Sequence, residues 1–184
     1  IPRRDFITVI NTNIIGTYNG SIVAMRHFLA QKSGKFINLL GRGDKGSIAL
    51  QNAYSSSKVW VRNFTKTLAN EYRNSGVDIF GFNPGLVRTE MLSNVHAVVG
   101  YEEQMNPLRF VAMLWGNDAD VPAEKALWLA SPATDGKNGT MVTVLTKRMM
   151  LSRLIALPFR KLLNRSTELL PLNVTSVKSA ISGD

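Results

Sequence analysis

Asn52-Ala53-Tyr54-Ser55-Ser56-Ser57-Lys58-Val59-Trp60-Val61-Arg62-Asn63-Phe64 carries a tyrosine and a lysine four residues apart, and the rest of the chain is read outward from it. Val59, Phe64, Leu68 and Tyr72 give this stretch an apolar face, which predicts a helix from about Asn52 to Asn74, ending near Gly76. Residues four apart on a helix lie one above the other, so Tyr54 and Lys58 share a face. An ammonium beside a phenol favours phenolate, so Lys58 is expected to lower the tyrosine pKa from its reference of about 10. Tyr54 would then serve as a general acid or base for a carbonyl/alcohol pair. A pair this short also occurs on ordinary surface helices, so its weight comes from its neighbours.

On either side of this helix, helical and strand patterns alternate. Phe6, Val9, Ile10, Asn13, Ile14 and Thr17 recur at helical spacing and predict one long helix over residues 5–32, with thin spots at Gly16 and Gly20 and an end at Ser33-Gly34. Lys35 to Leu40 and Val77 to Phe82 are short apolar runs and read as buried strands. A short helix is expected around Leu108 to Trp115, another from Pro122 through Leu129, and a last strand over Met141 to Leu145. Helix and strand in alternation predict a parallel sheet covered on both faces, an α/β fold.

Gly41-Arg42-Gly43-Asp44-Lys45-Gly46 matches G-x-G-x-x-G after a predicted strand. Such glycines let backbone approach a pyrophosphate at a helix N-terminus. Here the next helix starts several residues too late, and Asp44 would set negative charge against the phosphates. An ordinary flexible loop is the better reading.

The ordered motifs resemble the short-chain dehydrogenase/reductase family over about Asp5 to Leu145. Asn52 to Lys58 is similar to its active-site segment. Thr67-Leu68-Ala69-Asn70-Glu71 is similar to the end of the following helix, and Gly76-Val77-Asp78-Ile79 to the start of the next strand. Asn83-Pro84-Gly85-Leu86-Val87-Arg88-Thr89-Glu90-Met91 resembles the family's PGxVxTxM loop, and Asn11 to Thr17 its NxxG helix. Pro122 to Ser131 resembles its last helix. The resemblance implies the C-terminal half of a Rossmann-like, doubly wound parallel sheet over residues 1–146, with 147–184 as a basic, apolar extension. It implies an NAD- or NADP-dependent oxidoreductase, passing hydride between nicotinamide and a secondary alcohol or ketone. By the same resemblance Tyr54 exchanges the proton, Lys58 binds the nicotinamide ribose and tunes Tyr54, and Asn13 holds a water that connects Lys58 to solvent. Pro84, Gly85, Val87 and Thr89 lie beside the nicotinamide, with the Val87 backbone and the Thr89 hydroxyl as polar contacts. Helices 5–32 and 52–74 form the family's usual dimerising surface, so a homo-oligomer is expected.

Two departures bear on activity. The family's catalytic serine stands thirteen residues before the tyrosine, and here that position is Gly41, with Asn38 at the family's strand asparagine. Losing one oriented hydroxyl costs on the order of 10²–10³ in rate. Ser47 could replace it only through a rearranged loop. A substrate that orients itself, an altered reaction, or a binding or scaffold protein without turnover are the other outcomes. Second, the family's first half, with its Gly-rich turn, is expected upstream of Ile1. The chain is thus expected to be a fragment of a longer protein, a proteolysed product, or a chain completed by a partner; a fragment inactive on its own is one of the alternatives to turnover.

Composition excludes several alternatives. The 184 residues contain no cysteine and two histidines, His27 and His96, which argues against disulfides, thiolate metal sites and a histidine-based zinc site. The net charge of +9 is concentrated toward the end: from Lys147 onward there are seven bases against two acids. Such a distribution points away from an even nucleic-acid-binding face, and no nucleic acid partner is expected. Residues 148–170 interleave Met149, Met150, Leu151, Leu154, Ile155, Leu157, Phe159, Leu162 and Leu163 with bases, around a helix-breaking Pro158. This segment reads either as a packing arm, the preferred reading, or as an interfacial membrane helix. No apolar run is long enough to span a bilayer, and a cytoplasmic location is expected.

Overall fold

Two segments in the first third of the chain, Arg3–Ile10 (α1) and Gly16–Gln31 (α2), form helices joined by a π-helical turn over Asn11–Ile15. This is a computed structural model, and it describes residues 1–160, 162, 169 and 171–180. The single long helix expected over 5–32 is interrupted at Asn11–Ile15, not at Gly16 and Gly20. The Gly16 N–H bonds back five residues to the Asn11 carbonyl, the register of a π turn. Lys32 then adopts a left-handed conformation, φ 55°, and ends α2.

Strand β1, Gly34–Leu39, pairs in parallel with β2, Val77–Asn83, in a register that sets Gly34 against Val77 and Leu39 against Phe82. Between them runs α3, Asn52–Glu71, three residues shorter than expected. After the intervening segment, α6 spans Asp120–Ala130 and β4 spans Met141–Thr143. Pro122 lies inside the first turn of α6 rather than at its start; a proline is tolerated there because those N–H groups have no intrahelical partner. β4 pairs in parallel with β2, giving the order β1-β2-β4.

β2 alternates its side chains between two cores. Val77 and Ile79 pack with Met25 of α2 and Leu68 and Ala69 of α3. Phe80 and Phe82 pack with Leu129 of α6 and Val144. Ile79, Phe80 and Leu129 are fully buried, and each such side chain contributes roughly 1.5–3 kcal/mol of hydrophobic stabilisation. Helices on both faces of a parallel sheet make this a doubly wound α/β fold, as the alternating pattern implied.

The chain divides into two compact units: residues 4–84 with 123–144, which hold the sheet just described, and residues 1–3, 85–122 and 145–184. The second unit contains α4 (Glu90–Ser93), β3 (Asn94–Val98), α5 (Asn106–Trp115), α7 (Lys147–Ile155) and β5 (Asn173–Val177). β3 and β5 form a parallel pair from Asn94 against Asn173 to Val98 against Val177. The Thr146 side chain caps α7 by accepting from the Met149 N–H at 3.2 Å. The tail packs within this unit. The Trp115 indole donates to the Met150 carbonyl, Arg153 donates to the Trp115 carbonyl and Asn117 Oδ1, and Arg160 donates to the Met113 carbonyl. Of the tail segment 148–170, residues 161, 163–168 and 170, with Leu163 among them, lie outside the described residues. Among the described residues no helix is long and apolar enough to cross a membrane.

Candidate active site

The C-terminal end of β1 gathers the chemistry. Ladder pairing continues one residue past the strand, with the Leu40 N–H donating to the Phe82 carbonyl at 2.8 Å. Asn38, buried on β1, donates its amide to Thr65 Oγ1 at 3.0 Å, and Thr65 donates in turn to the Val61 carbonyl. This buried chain fixes α3 against β1. Two turns earlier on α3, Lys58 Nζ donates to the Leu39 carbonyl at 3.1 Å. Its nitrogen stands 5.7 Å from the centre of the Tyr54 ring.

The Tyr54 hydroxyl rests against Gly41. A Cβ built on Gly41 would stand 2.6 Å from that oxygen and 3.3 Å from Lys58 Cε. The tyrosine hydroxyl thus fills the space that a serine side chain would claim. Among the described residues, this hydroxyl has no hydrogen-bond partner. Ser47 is exposed and enters no hydrogen bond with Tyr54.

Burial raises the Tyr54 phenol above its ordinary value and lowers the Lys58 ammonium below its own. The expected lowering of Tyr54 by Lys58 is therefore corrected. The amine points at a backbone carbonyl beside the ring face, not at the hydroxyl, and removal from water disfavours the charged form of both groups.

Asn13 lies in the π turn and donates its amide to Ser57 Oγ at 2.9 Å; Ser57 donates to the Tyr54 carbonyl at 2.7 Å. The Asn13 side chain therefore braces the backbone of α3 at Tyr54. Asn13, Tyr54, Lys58, Gly41 and Pro84 belong to one unit, whereas Gly85, Val87 and Thr89 belong to the other. Gly85 adopts φ +75°, and a Cβ there would meet Leu145 Cβ at 2.9 Å, so both conformation and space call for glycine. Val87 forms an isolated parallel bridge with Asn117, and Thr89 stands exposed at the start of α4.

The loop 41–46 is not the plain flexible loop expected. Asp44 is buried and pairs with Arg62 of α3 at 2.7 Å. Asn83, at the end of β2, donates to both the Gly41 carbonyl, at 3.1 Å, and Asp44 Oδ1, at 3.3 Å. The contacts that Asp44, Arg62, Asn83 and Ser57 make escaped the sequence reading, although Asp44, Asn83 and Ser57 lie in stretches it quoted. Arg62 gave the one available signal, four residues past Lys58 and on its face of the helix.

Parallel strands flanked by helices, with a Tyr–Lys pair at the strand C-termini, define a doubly wound α/β domain whose site opens where such folds bind ligands. A model of the short chain dehydrogenase family matches residues 1–99, and the chain belongs to that family. It is 30% identical over 145 residues to the 2-dehydro-3-deoxy-D-gluconate 5-dehydrogenase of Bacillus subtilis, covering 78% of this chain and 56% of that protein. It is 33% identical over 96 residues to a diacetyl reductase, (S)-acetoin forming, of Staphylococcus epidermidis, covering 52% of this chain and 37% of that one. The chain thus spans about half the length, or less, of these relatives. Among solved structures, a gluconate 5-dehydrogenase from Burkholderia cenocepacia in complex with NADP and tartrate aligns with TM-score 0.66 at 24% identity, over 78% of this chain and 55% of that one. A 3-ketoacyl-(acyl-carrier-protein) reductase from Brucella melitensis complexed with NADH aligns with TM-score 0.65 at 21% identity, over 78% and 57%. At these identities the solved structures bear on the fold.

Proposed function

We propose that this chain carries the catalytic half of an NAD- or NADP-dependent oxidoreductase acting on a secondary alcohol or ketone, with Tyr54 as its general acid/base. The observation that carries the proposal is the seating of Tyr54 and Lys58 on one face of α3, over the C-terminal end of β1, with the Tyr54 hydroxyl unpartnered among the described residues. Carboxyl ends of parallel strands are where ligands bind in this class of fold.

The donor set fits a nicotinamide riboside. Lys58 uses one of its three protons on Leu39, leaving two for ribose hydroxyls. Pro84, at the end of β2 in the unit that holds Tyr54 and Lys58, would lie beside the nicotinamide; Gly85, Val87 and the Thr89 hydroxyl are proposed as nicotinamide contacts on the family's pattern alone. When bound, the nicotinamide supplies or takes the hydride. Tyr54 gives its proton to the substrate oxygen in reduction and takes it back in oxidation. Asn13 braces the turn of α3 that presents Tyr54, and Lys58, held to the Leu39 carbonyl, stands beside the Tyr54 ring. The substrate is a small alcohol or carbonyl compound, the partner a second copy through the helices over 5–32 and 52–74, and the location cytoplasmic.

A Tyr54→Phe variant of the intact protein is expected to lose NAD(P)-linked ketone reduction while still binding cofactor. Unchanged turnover would remove Tyr54 from the mechanism. Gly41 favours a second reading, a binding protein that keeps the fold without turnover. Cofactor binding by the intact protein with no reduction across a ketone panel would select it.

A further inference from the structure

The loop that lost the serine is held by a device of its own. Asp44, with 6% of its side chain exposed, lies beneath Gly41-Arg42-Gly43 and pairs with Arg62 at 2.7 Å. Arg62 stands on α3, one turn beyond Lys58. The other carboxylate oxygen, Oδ1, takes the Asn83 amide at 3.3 Å, and that amide also reaches the Gly41 carbonyl at 3.1 Å. The Asp44 N–H closes the turn by donating to the same Gly41 carbonyl at 3.1 Å. One carboxylate therefore links the helix bearing Tyr54 and Lys58, the loop beneath the Tyr54 hydroxyl, and the end of β2 that leads into Pro84.

We propose that Asp44 is a positioning residue: with Arg62 and Asn83 it fixes the Gly41 backbone against which the Tyr54 hydroxyl rests. The proposal deepens the assignment of Tyr54 above and rests on it. A serine at position 41 would hold the substrate oxygen and bound the tyrosine's space with one side chain. Glycine does neither, and at this point it is the loop backbone that bounds the phenol. A carboxylate placed inward in a glycine-rich loop would serve no phosphate, whereas an ion pair with little access to water holds a loop with few side chains of its own.

The test uses the intact protein with Asp44→Asn, Arg62→Met and Arg62→Lys. Two quantities are read: steady-state ketone reduction, and the ring NMR signal of Tyr54, identified by its loss in Tyr54→Phe. Tyr18, Tyr72 and Tyr101 serve as internal controls. Asp44→Asn and Arg62→Met are expected to lower kcat on the order of 10²-fold, as a misplaced catalytic group does, with the cofactor KM held within about twofold. Both are expected to shift the Tyr54 signal alone. Arg62→Lys, which keeps the charge, is expected to recover most of the rate and the native signal. A Tyr54 signal unmoved in Asp44→Asn overturns the proposal, whatever happens to kcat. If Asp44→Asn does not fold, the two Arg62 variants decide: equal Tyr54 signals in both overturn it. If the intact protein reduces nothing while Asp44→Asn still shifts Tyr54, the positioning role stands and the oxidoreductase assignment falls.

Discussion

Gly41 and Tyr54 form one steric unit, and this changes what restoring the family serine would do. The Tyr54 hydroxyl stands 2.6 Å from the place a Cβ would take, closer than real Cβ contacts come. Any side chain at 41 must turn the phenol away. Gly41→Ala adds the Cβ without a hydroxyl, and with Tyr54 as the proposed acid/base kcat is expected to fall on the order of 10²-fold through displacement of its oxygen. Gly41→Ser is expected to fall as well, because its hydroxyl arrives together with the same displacement. Steady-state kinetics of both variants check this, and an alanine variant with native kcat would refute the steric coupling. The tyrosine's protonation carries a second prediction. Burial raises its pKa above the ordinary 10.0, so the phenol stays protonated throughout the neutral range. On the proposed role of Tyr54, reduction would need that protonated form, and its rate would be lost only as pH rises through the raised value. Oxidation would then need the phenolate and gain rate over the same alkaline interval. An ultraviolet difference titration, wild type minus Tyr54→Phe in the absence of cofactor, is expected to place the midpoint above that of free tyrosine; a midpoint below it contradicts the burial argument.

At the scale of elements, α3 is held to β1 by buried polar contacts as much as by apolar ones. Asn38 and Thr65 are both buried, and their hydrogen bond continues to the Val61 carbonyl. Thr65→Val keeps the shape but strands the Asn38 amide, and is expected to cost about 1–3 kcal/mol, readable by denaturant unfolding. Lys35, at the start of β1, donates to the Ser131 carbonyl and to Thr134 Oγ1 and pairs with Asp135. Thr134 is buried and Ser131 half-buried, whereas Asp135 is 70% exposed. Lys35→Met should therefore cost about 1.5–3 kcal/mol while Asp135→Asn costs less than about 1 kcal/mol. Equal losses would show that the exposed ion pair carries the contact. These same elements show what a sequence pattern can carry. β1, α3 and β2 were legible because their apolar residues repeat at the period of the element and their ends carry breakers. The π turn was not, since Asn11–Ile15 keeps helical spacing and differs only in which carbonyl the Gly16 N–H reaches. β3 and β5 were missed because their pairing joins Asn94 to Asn173, far along the chain. Tyr54 and Lys58 were legible as a local pair. The Asp44–Arg62–Asn83 link was not, because its members sit on a loop, a helix and a strand that only the folded chain assembles.

For the molecule as a whole, two arginines of the basic tail, Arg153 and Arg160, are held by what they touch. The last carbonyls of a helix lack intrahelical partners and carry partial negative charge. At the end of α5, Met113 offers its carbonyl to both Arg88 and Arg160, and Trp115 offers its own to Arg153. Arg160 is buried in this position. Part of the positive excess of the last residues is thus spent inside the unit as helix capping, which favours a packing arm over a surface for lipid headgroups. Arg160→Met should take one of the two donors from the Met113 carbonyl, leaving Arg88, and cost about 1–3 kcal/mol. The loss is expected to be local. Hydrogen exchange should quicken in α5 and α7, with new protease cleavage between residues 147 and 160, while β1, β2 and α3 keep their protection. Vesicles of anionic lipid supply the contrary test. An arm folded onto α5 should let the intact protein, with or without residues 148–184, sediment to the same extent, whereas binding that disappears with those residues would restore the membrane reading, since an interfacial helix needs its apolar face free.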